Sequence, residues 1–141
     1  VHLSSLTHPS SDVLDESMNN HLADENIDLV VLAGYMKKLG PRVLEDYRDR
    51  IINVHPSLLP RHGGPGFYGS RVHKAVIESG DSETGATVHL VNDDYDMGKA
   101  LLQEKITVKV DDTPDSLAER LQPIEHKLLI EVIQQFSAGK R

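Results

Sequence analysis

The stretch "IDLVVLAGYMKKLGPRVLEDYRDRIINVHPSLLP", Ile27 to Pro60, decides the fold class. It opens on a short apolar run, Ile27 to Gly34, of the kind that fills buried parallel strands. Pro41 suits the first turn of a helix, where its missing N–H is not needed, so the spacing predicts a short helix over 41–48. A second buried strand, Arg50 to Val54, follows. Upstream, Val1 to Leu6 reads as a strand. Ser11 then reads as the N-cap of a helix reaching about Asn26, with Leu14, Met18 and Leu22 at i, i+4 and i+8.

Downstream, residues 69–79 read as a helix ended by Gly80. "TGATVHLV" alternates and is rich in β-branched residues, so it reads as a strand, with "ALLQEKITVKV" paired antiparallel to it. Thr113 caps a last helix, with Pro114 at its first position and Asp115 near its positive end. Leu117, Leu121, Ile124, Leu128, Val132 and Phe136 form its apolar stripe, and Pro123 is expected to kink or break it. The pattern is α/β: a partly parallel mixed sheet flanked by helices, in one domain over 1–141. Ligands of such sheets lie at the carboxyl ends of the strands. That points to Gly34–Leu39 and to Asn53–His55 with the loop behind them.

Composition narrows the function classes. The 141 residues suffice for one domain with a core, and no apolar run approaches a membrane span. A net charge of -7 argues against a nucleic-acid-binding surface. The absence of cysteine excludes disulfide and thiolate chemistry and fits a cytoplasmic protein.

Asn53 and His55 are two apart on a strand, so they point to one side, and Pro56 holds His55 extended. Two donors converging on one oxygen stabilise an oxyanion; the plainer reading is a polar strand end. "VNDDYDMG", Val91 to Gly98, reads as a solvated loop, or as the source of a carboxylate that raises the pKa of His55. As a calcium loop it fails, because the glycine comes one place late and Gln103 holds the twelfth position. "RHGGPGFYG", Arg61 to Gly69, lacks the G-K-[ST] of a P-loop and reads as a lid or a plain surface loop. His62, His73 and His89 lack metal-ligand spacing, so no metal is expected, and His89 reads as a packed or hydrogen-bonded histidine.

Taken together, "VVLAGYMKKL", "INVHPSLLP", "GATVHLVNDDYDMG" and "QPIEHKLL" resemble the phosphoribosylglycinamide formyltransferase family, from about Val1 to Phe136. The resemblance implies a Rossmann-like formyltransferase fold. It implies transfer of a formyl group from 10-formyltetrahydrofolate to the amine of glycinamide ribonucleotide, in purine biosynthesis, with no metal. It assigns Asn53, His55 and Asp96 to catalysis. It assigns Met36, Lys37, Lys38, Leu39, Asn53, Asn92, Asp93, Asp94, Tyr95 and Asp96 to the folate, and Gln122, Pro123, Ile124 and Glu125 to the ribonucleotide.

Three departures accompany the resemblance. The family's opening strand, glycine turn and helix, which hold the substrate phosphate, have no counterpart here, and about two βα units are expected before Val1. The loop "PRHGGPGFYGSRVH" is longer than in many relatives, and a family arginine near Ser11 is absent. The competing readings are a formyltetrahydrofolate deformylase, which passes the formyl group to water, and an inactive folate-binding module. A methionyl-tRNA formyltransferase fits less well, because nothing follows the catalytic domain and the charge is wrong for tRNA.

Overall fold

The computed structural model describes residues 1–93 and 96–140. Among them the elements are α1 (Ser11–Asp24), β1 (Val30–Leu32), α2 (Pro41–Asp46), β2 (Ile51–His55), α3 (Ser70–Glu78), β3 (Glu83–Leu90), β4 (Ala100–Thr107) and α4 (Pro114–Ser137). The strands form one sheet in the order β1-β2-β3-β4. β1 and β2 are parallel, with Val30 opposite Ile51 and Leu32 opposite Asn53. β2–β3 and β3–β4 are antiparallel. The sheet is therefore mixed, as the sequence implies.

The two-residue period of β2 divides the core. Ile52 faces a cluster with Ala86, Val88, Leu128 and Val132 under α4. Its neighbour Ile51 faces the other side, against Leu39, Val43 and Tyr47, with Met18 and Leu22 of α1 behind them. Both isoleucines are fully buried, worth about 1.5–3 kcal/mol each. Continuing that alternation puts Asn53 and His55 on the face of Ile51.

A link between α1 and α2 was not legible in the sequence. Asp15 of α1 is buried, and its carboxylate accepts the N–H groups of Arg42 at 2.9 Å and Val43 at 3.2 Å. It thus caps α2, whose N-cap, Gly40, has no side chain to do so. A Cβ on Gly40 would lie 2.2 Å from Asp15 Cγ, so only glycine lets the carboxylate approach.

Four sequence expectations are corrected. Val1–Leu6 forms no strand; Ser4 closes a turn by accepting the N–H groups of Thr7 at 3.1 Å and His8 at 2.8 Å. Serine and threonine side chains in this segment bond its own backbone and compete with strand pairing. The cap of α1 is Ser10, not Ser11: its hydroxyl accepts Val13 N–H at 3.1 Å, and the helix ends at Asp24. β1 spans only three residues and is an edge strand, with Val31 37% exposed, rather than a strand buried on both faces. Finally, α4 runs unbroken through Pro123. Pro123 and Glu119, whose carbonyl loses its helical donor, both lie on the exposed side, while Leu117, Leu121, Leu128 and Val132 anchor the helix on either side.

Candidate active site

The parallel β1–β2 pair ends at a cleft of about 300 Å³, lined by Asn53, His55, Pro56 and Asp96 on one side. Gly34, Tyr35 and Met36 after β1, and the loop Gly64–Gly69, form the other walls. Asn53 and His55 reach the same space, as their spacing requires.

Asn53 stands opposite His89 in the β2–β3 ladder, and its amide nitrogen lies 3.1 Å from His89 Nε2. His89 Nδ1 lies 2.9 Å from the carbonyl of Leu90. A carbonyl only accepts, so Nδ1 carries a proton, and the Asn53 amide nitrogen faces Nε2. The amide is thereby turned with its nitrogen toward His89, and its second N–H is left to donate. His89 is thus a hydrogen-bonded histidine, as its place in the strand implied.

Asp96 lies in the left-handed region, at φ 52°. Its Oδ2 accepts Gly64 N–H at 3.0 Å and faces His55 Nδ1 at 3.6 Å, while Oδ1 faces His89 Nε2 at 3.4 Å. The chain then turns back so closely that a Cβ on Gly98 would lie 1.7 Å from the carbonyl oxygen of Leu90. His55 is 4% exposed, and its Nε2–H donates to the carbonyl of His62 at 2.8 Å.

The charges settle as follows. Burial pushes the pKa of His55 below the ordinary histidine value. Asp96 and the His62 carbonyl push it upward but are outweighed. The expected net rise beside a carboxylate is therefore corrected: the carboxylate acts in the expected direction, and desolvation is larger. For Asp96, burial pushes upward, but the contacts with His89, His55 and Gly64 N–H together hold it below the usual carboxylate range. The resting pair is a neutral imidazole beside an ionised carboxylate.

A slot of about 70 Å³ adjoins the cleft, lined by Leu32, Tyr35, Lys37, Lys38, Leu39, Asn53, His89, Val91, Asn92 and Asp96. It brings together the two segments assigned to the folate. Within them the side chains differ. Met36 is exposed in the cleft wall, Leu39 belongs to the core, and Lys37 Nζ donates to Ser5 Oγ at 3.1 Å. Asp93 is exposed, and Asp94 and Tyr95 lie outside the described residues. A further cleft of about 510 Å³ continues past Lys37 and Lys38 toward His8 and Asp12. Gln122, Pro123, Ile124 and Glu125 line none of these spaces; they lie on α4, with Glu125 half-buried and its carboxyl pushed up by burial.

The loop Arg61–Gly69 walls the cleft with Phe67 and Tyr68. Arg61 and His62 at its base both hold Asp81, a residue the sequence did not single out. Tyr35 and the N–H of Gly64 were also missed; Tyr35 stood inside a quoted motif, but a backbone donor leaves no sequence signal. Among the described residues, no group of three or more histidine, aspartate or glutamate side chains is placed to hold a metal ion, and no helix is long and apolar enough to cross a membrane. An amide N–H, an imidazole and a carboxylate around one partly apolar space can hold a carbonyl oxygen and move a proton beside it.

Residues 4–133 match the family model described as formyl transferase. The chain is 43% identical, over 125 residues, to the chloroplastic phosphoribosylglycinamide formyltransferase of Arabidopsis thaliana, covering 89% of this chain and 43% of that one. Among solved structures it superposes on the phosphoribosylglycinamide formyltransferase of Coxiella burnetii with a TM-score of 0.86 at 33% identity, covering 97% of this chain and 62% of that one. A formyltetrahydrofolate deformylase from Pseudomonas syringae is a more distant neighbour, with a TM-score of 0.74 at 25% identity, covering 84% of this chain and 38% of that one. The chain spans about half the length of the curated relatives it matches.

Proposed function

The chain belongs to the formyl transferase family, and on that premise we propose that it transfers the formyl group of 10-formyltetrahydrofolate to the amine of glycinamide ribonucleotide, in purine biosynthesis. The observation that carries this reading is the meeting of Asn53, His55 and Asp96 at one cleft, beside a slot built from 37–39 and Asn92.

The substrate amine attacks the formyl carbon, a C–N bond forms, and the carbonyl electron pair moves to oxygen. Asn53 donates its free N–H to that oxygen, and His55 donates once protonated at Nδ1. The bond from carbon to the folate nitrogen then breaks, and that nitrogen leaves with the proton that His55 gives up from Nδ1. Asp96 is ionised and 3.6 Å from Nδ1, too far for a direct hydrogen bond, so a water between the two passes the proton given up by the amine back to Nδ1. Met36, Lys37, Lys38, Leu39, Asn92, Asp93, Asp94, Tyr95 and Asp96 form the folate site. The slot shares Tyr35, Asn53 and Asp96 with the cleft, and the cleft reaches the roughly 300–1,000 Å³ of ligand pockets. Gln122, Pro123, Ile124 and Glu125 bind the ribonucleotide, with Glu125 on the ribose hydroxyls. Residues 1–141 act as one catalytic domain in the cytoplasm, with small molecules rather than nucleic acid or membrane as partners.

The fold likeness to a deformylase gives the second reading, in which water is the acceptor. The test is conversion of 10-formyltetrahydrofolate to tetrahydrofolate, with and without glycinamide ribonucleotide. Turnover only with the ribonucleotide supports transfer. Turnover without it identifies the deformylase. No turnover in either, with formyl-folate still bound, refutes catalysis by this stretch alone.

A further inference from the structure

Asp81 lies at the turn between α3 and β3 and touches neither the cleft nor the slot. Its side chain is nevertheless 7% exposed, and both its oxygens are engaged. Oδ2 lies 2.7 Å from His62 Nε2, and Oδ1 takes the guanidinium of Arg61. His62 itself is held in the left-handed region, at φ 53°, which a residue with a Cβ adopts only when something fixes it there. In that conformation its carbonyl meets His55 Nε2 at 2.8 Å. The backbone oxygen that orients the imidazole therefore belongs to a residue whose ring is tied to Asp81.

We propose that Asp81 is a positioning residue for His55. Through the ring of His62 it fixes the carbonyl that takes the Nε2–H of His55, so that the neutral ring carries its proton on Nε2 and exchanges a proton only at Nδ1. A carbonyl oxygen has no hydrogen to give, so the bond exists in only one sense. Without the latch, the strained backbone of His62 relaxes and the carbonyl swings away. His55 then distributes its proton between both nitrogens, with Asp96 attracting it to Nδ1. The other ionisable groups facing His55 are Asp96, His89, His62 and His73, and Asp81 reaches it only through His62. The inference rests on reading His55 as the proton carrier, and its test reads the ring directly, whether or not the chain turns over.

The test is nitrogen NMR of the full chain with isotope-labelled histidine, at a pH where His55 is neutral. In the native chain His55 shows a protonated Nε2 and a bare Nδ1. Asp81→Ala and His62→Phe each shift both His55 nitrogens toward a tautomer mixture. His62→Phe keeps a ring beside Phe67 but not the bond to Asp81. The His89 pattern, set by Asn53 and Leu90, stays as in the native chain and reports that the sheet is intact. If the His55 tautomer is unchanged in both variants while His89 is normal, the latch is refuted; a native chain protonated on Nδ1 refutes it as well. With turnover established, the same variants lower kcat about tenfold with little change in KM for either substrate, in line with a loss of general acid–base efficiency.

Discussion

Replacing Asp15 with alanine strips two backbone donors of their acceptor. Arg42 N–H and Val43 N–H lie 2.9 and 3.2 Å from the carboxylate, and no side chain at Gly40 can take over. Hydrogen bonds to a charged group are worth about 1.5–3 kcal/mol each, so the gross loss is about 3–6 kcal/mol. Two effects reduce it. The native side chain is 1% exposed, so deleting the carboxylate recovers part of its desolvation cost. Asp15 also lines the 510 Å³ cleft, from which water reaches a freed N–H. The net expectation is a loss of about 2–4 kcal/mol. For 141 residues, total stability is on the order of 7–20 kcal/mol. With a urea slope near 2 kcal/mol per molar, the midpoint falls by about 1–2 M. Asp15→Asn, which keeps one acceptor oxygen, loses about half as much free energy. Asp12→Ala, which removes only the exposed partner of Arg42, costs under about 1 kcal/mol. A midpoint for Asp15→Ala equal to that of Asp12→Ala would falsify the claim that α1 caps α2.

Asn53→Ala or His55→Ala lowers formyl transfer by about 100- to 1000-fold in a chain that still folds, checked by a retained cooperative urea transition; native turnover in either variant rejects the assigned roles. Thr87 Oγ1 donates to Ser57 O at 2.7 Å and accepts from Leu59 N–H at 3.1 Å and Gln103 at 2.8 Å. Thr87→Val keeps the shape and orphans these groups, costing about 1–3 kcal/mol in urea unfolding, and a silent variant would show that the loop after β2 is held some other way. Burial keeps His55 and His73 neutral below the ordinary histidine value near 6.5, so below that pH the unfolded chain binds more protons than the native one. Their contribution is complete above that value and is lost as pH falls through their lowered native values. The urea midpoint should drop from about pH 7 to 5, and less steeply in His73→Gln; a flat profile contradicts the burial argument. Asp96 and Asp81 add a second loss of the same sign below about pH 3.9, whereas Glu125, raised by burial, contributes with the opposite sign.

Local rules carried far. The two-residue period gave the shared direction of Asn53 and His55, and by the same rule the structure puts Ile51 and Ile52 on opposite core faces. Pro41, and Thr113 followed by Pro114, marked helix starts that the structure keeps. What escaped depends on distant partners or on balances. The exposure of β1 follows from its place at the sheet edge, which an apolar run does not encode. Pro123 reads as a break because propensity is local, while the stripe that holds α4 together spans both sides of it. The pKa of His55 is a contest between burial and a carboxylate, and only packing decides which prevails. Asp15 and Asp81 look like ordinary surface aspartates until the chain returns to them from far along the sequence. Asp96 was reached through resemblance, because a carboxylate in an acidic loop carries no mark of the histidine it faces.

The groups proposed to handle the formyl carbon lie within one uninterrupted stretch of chain, from Asn53 on β2 to Asp96 just after β3, and they meet across neighbouring strands of a single ladder. A recombination event that moves this stretch moves the whole reactive centre with its geometry intact. The acceptor-binding parts are then free to be exchanged around it. On the proposed function, formyl handling and choice of acceptor are then separable, and a change of acceptor leaves these residues and their spacing in place.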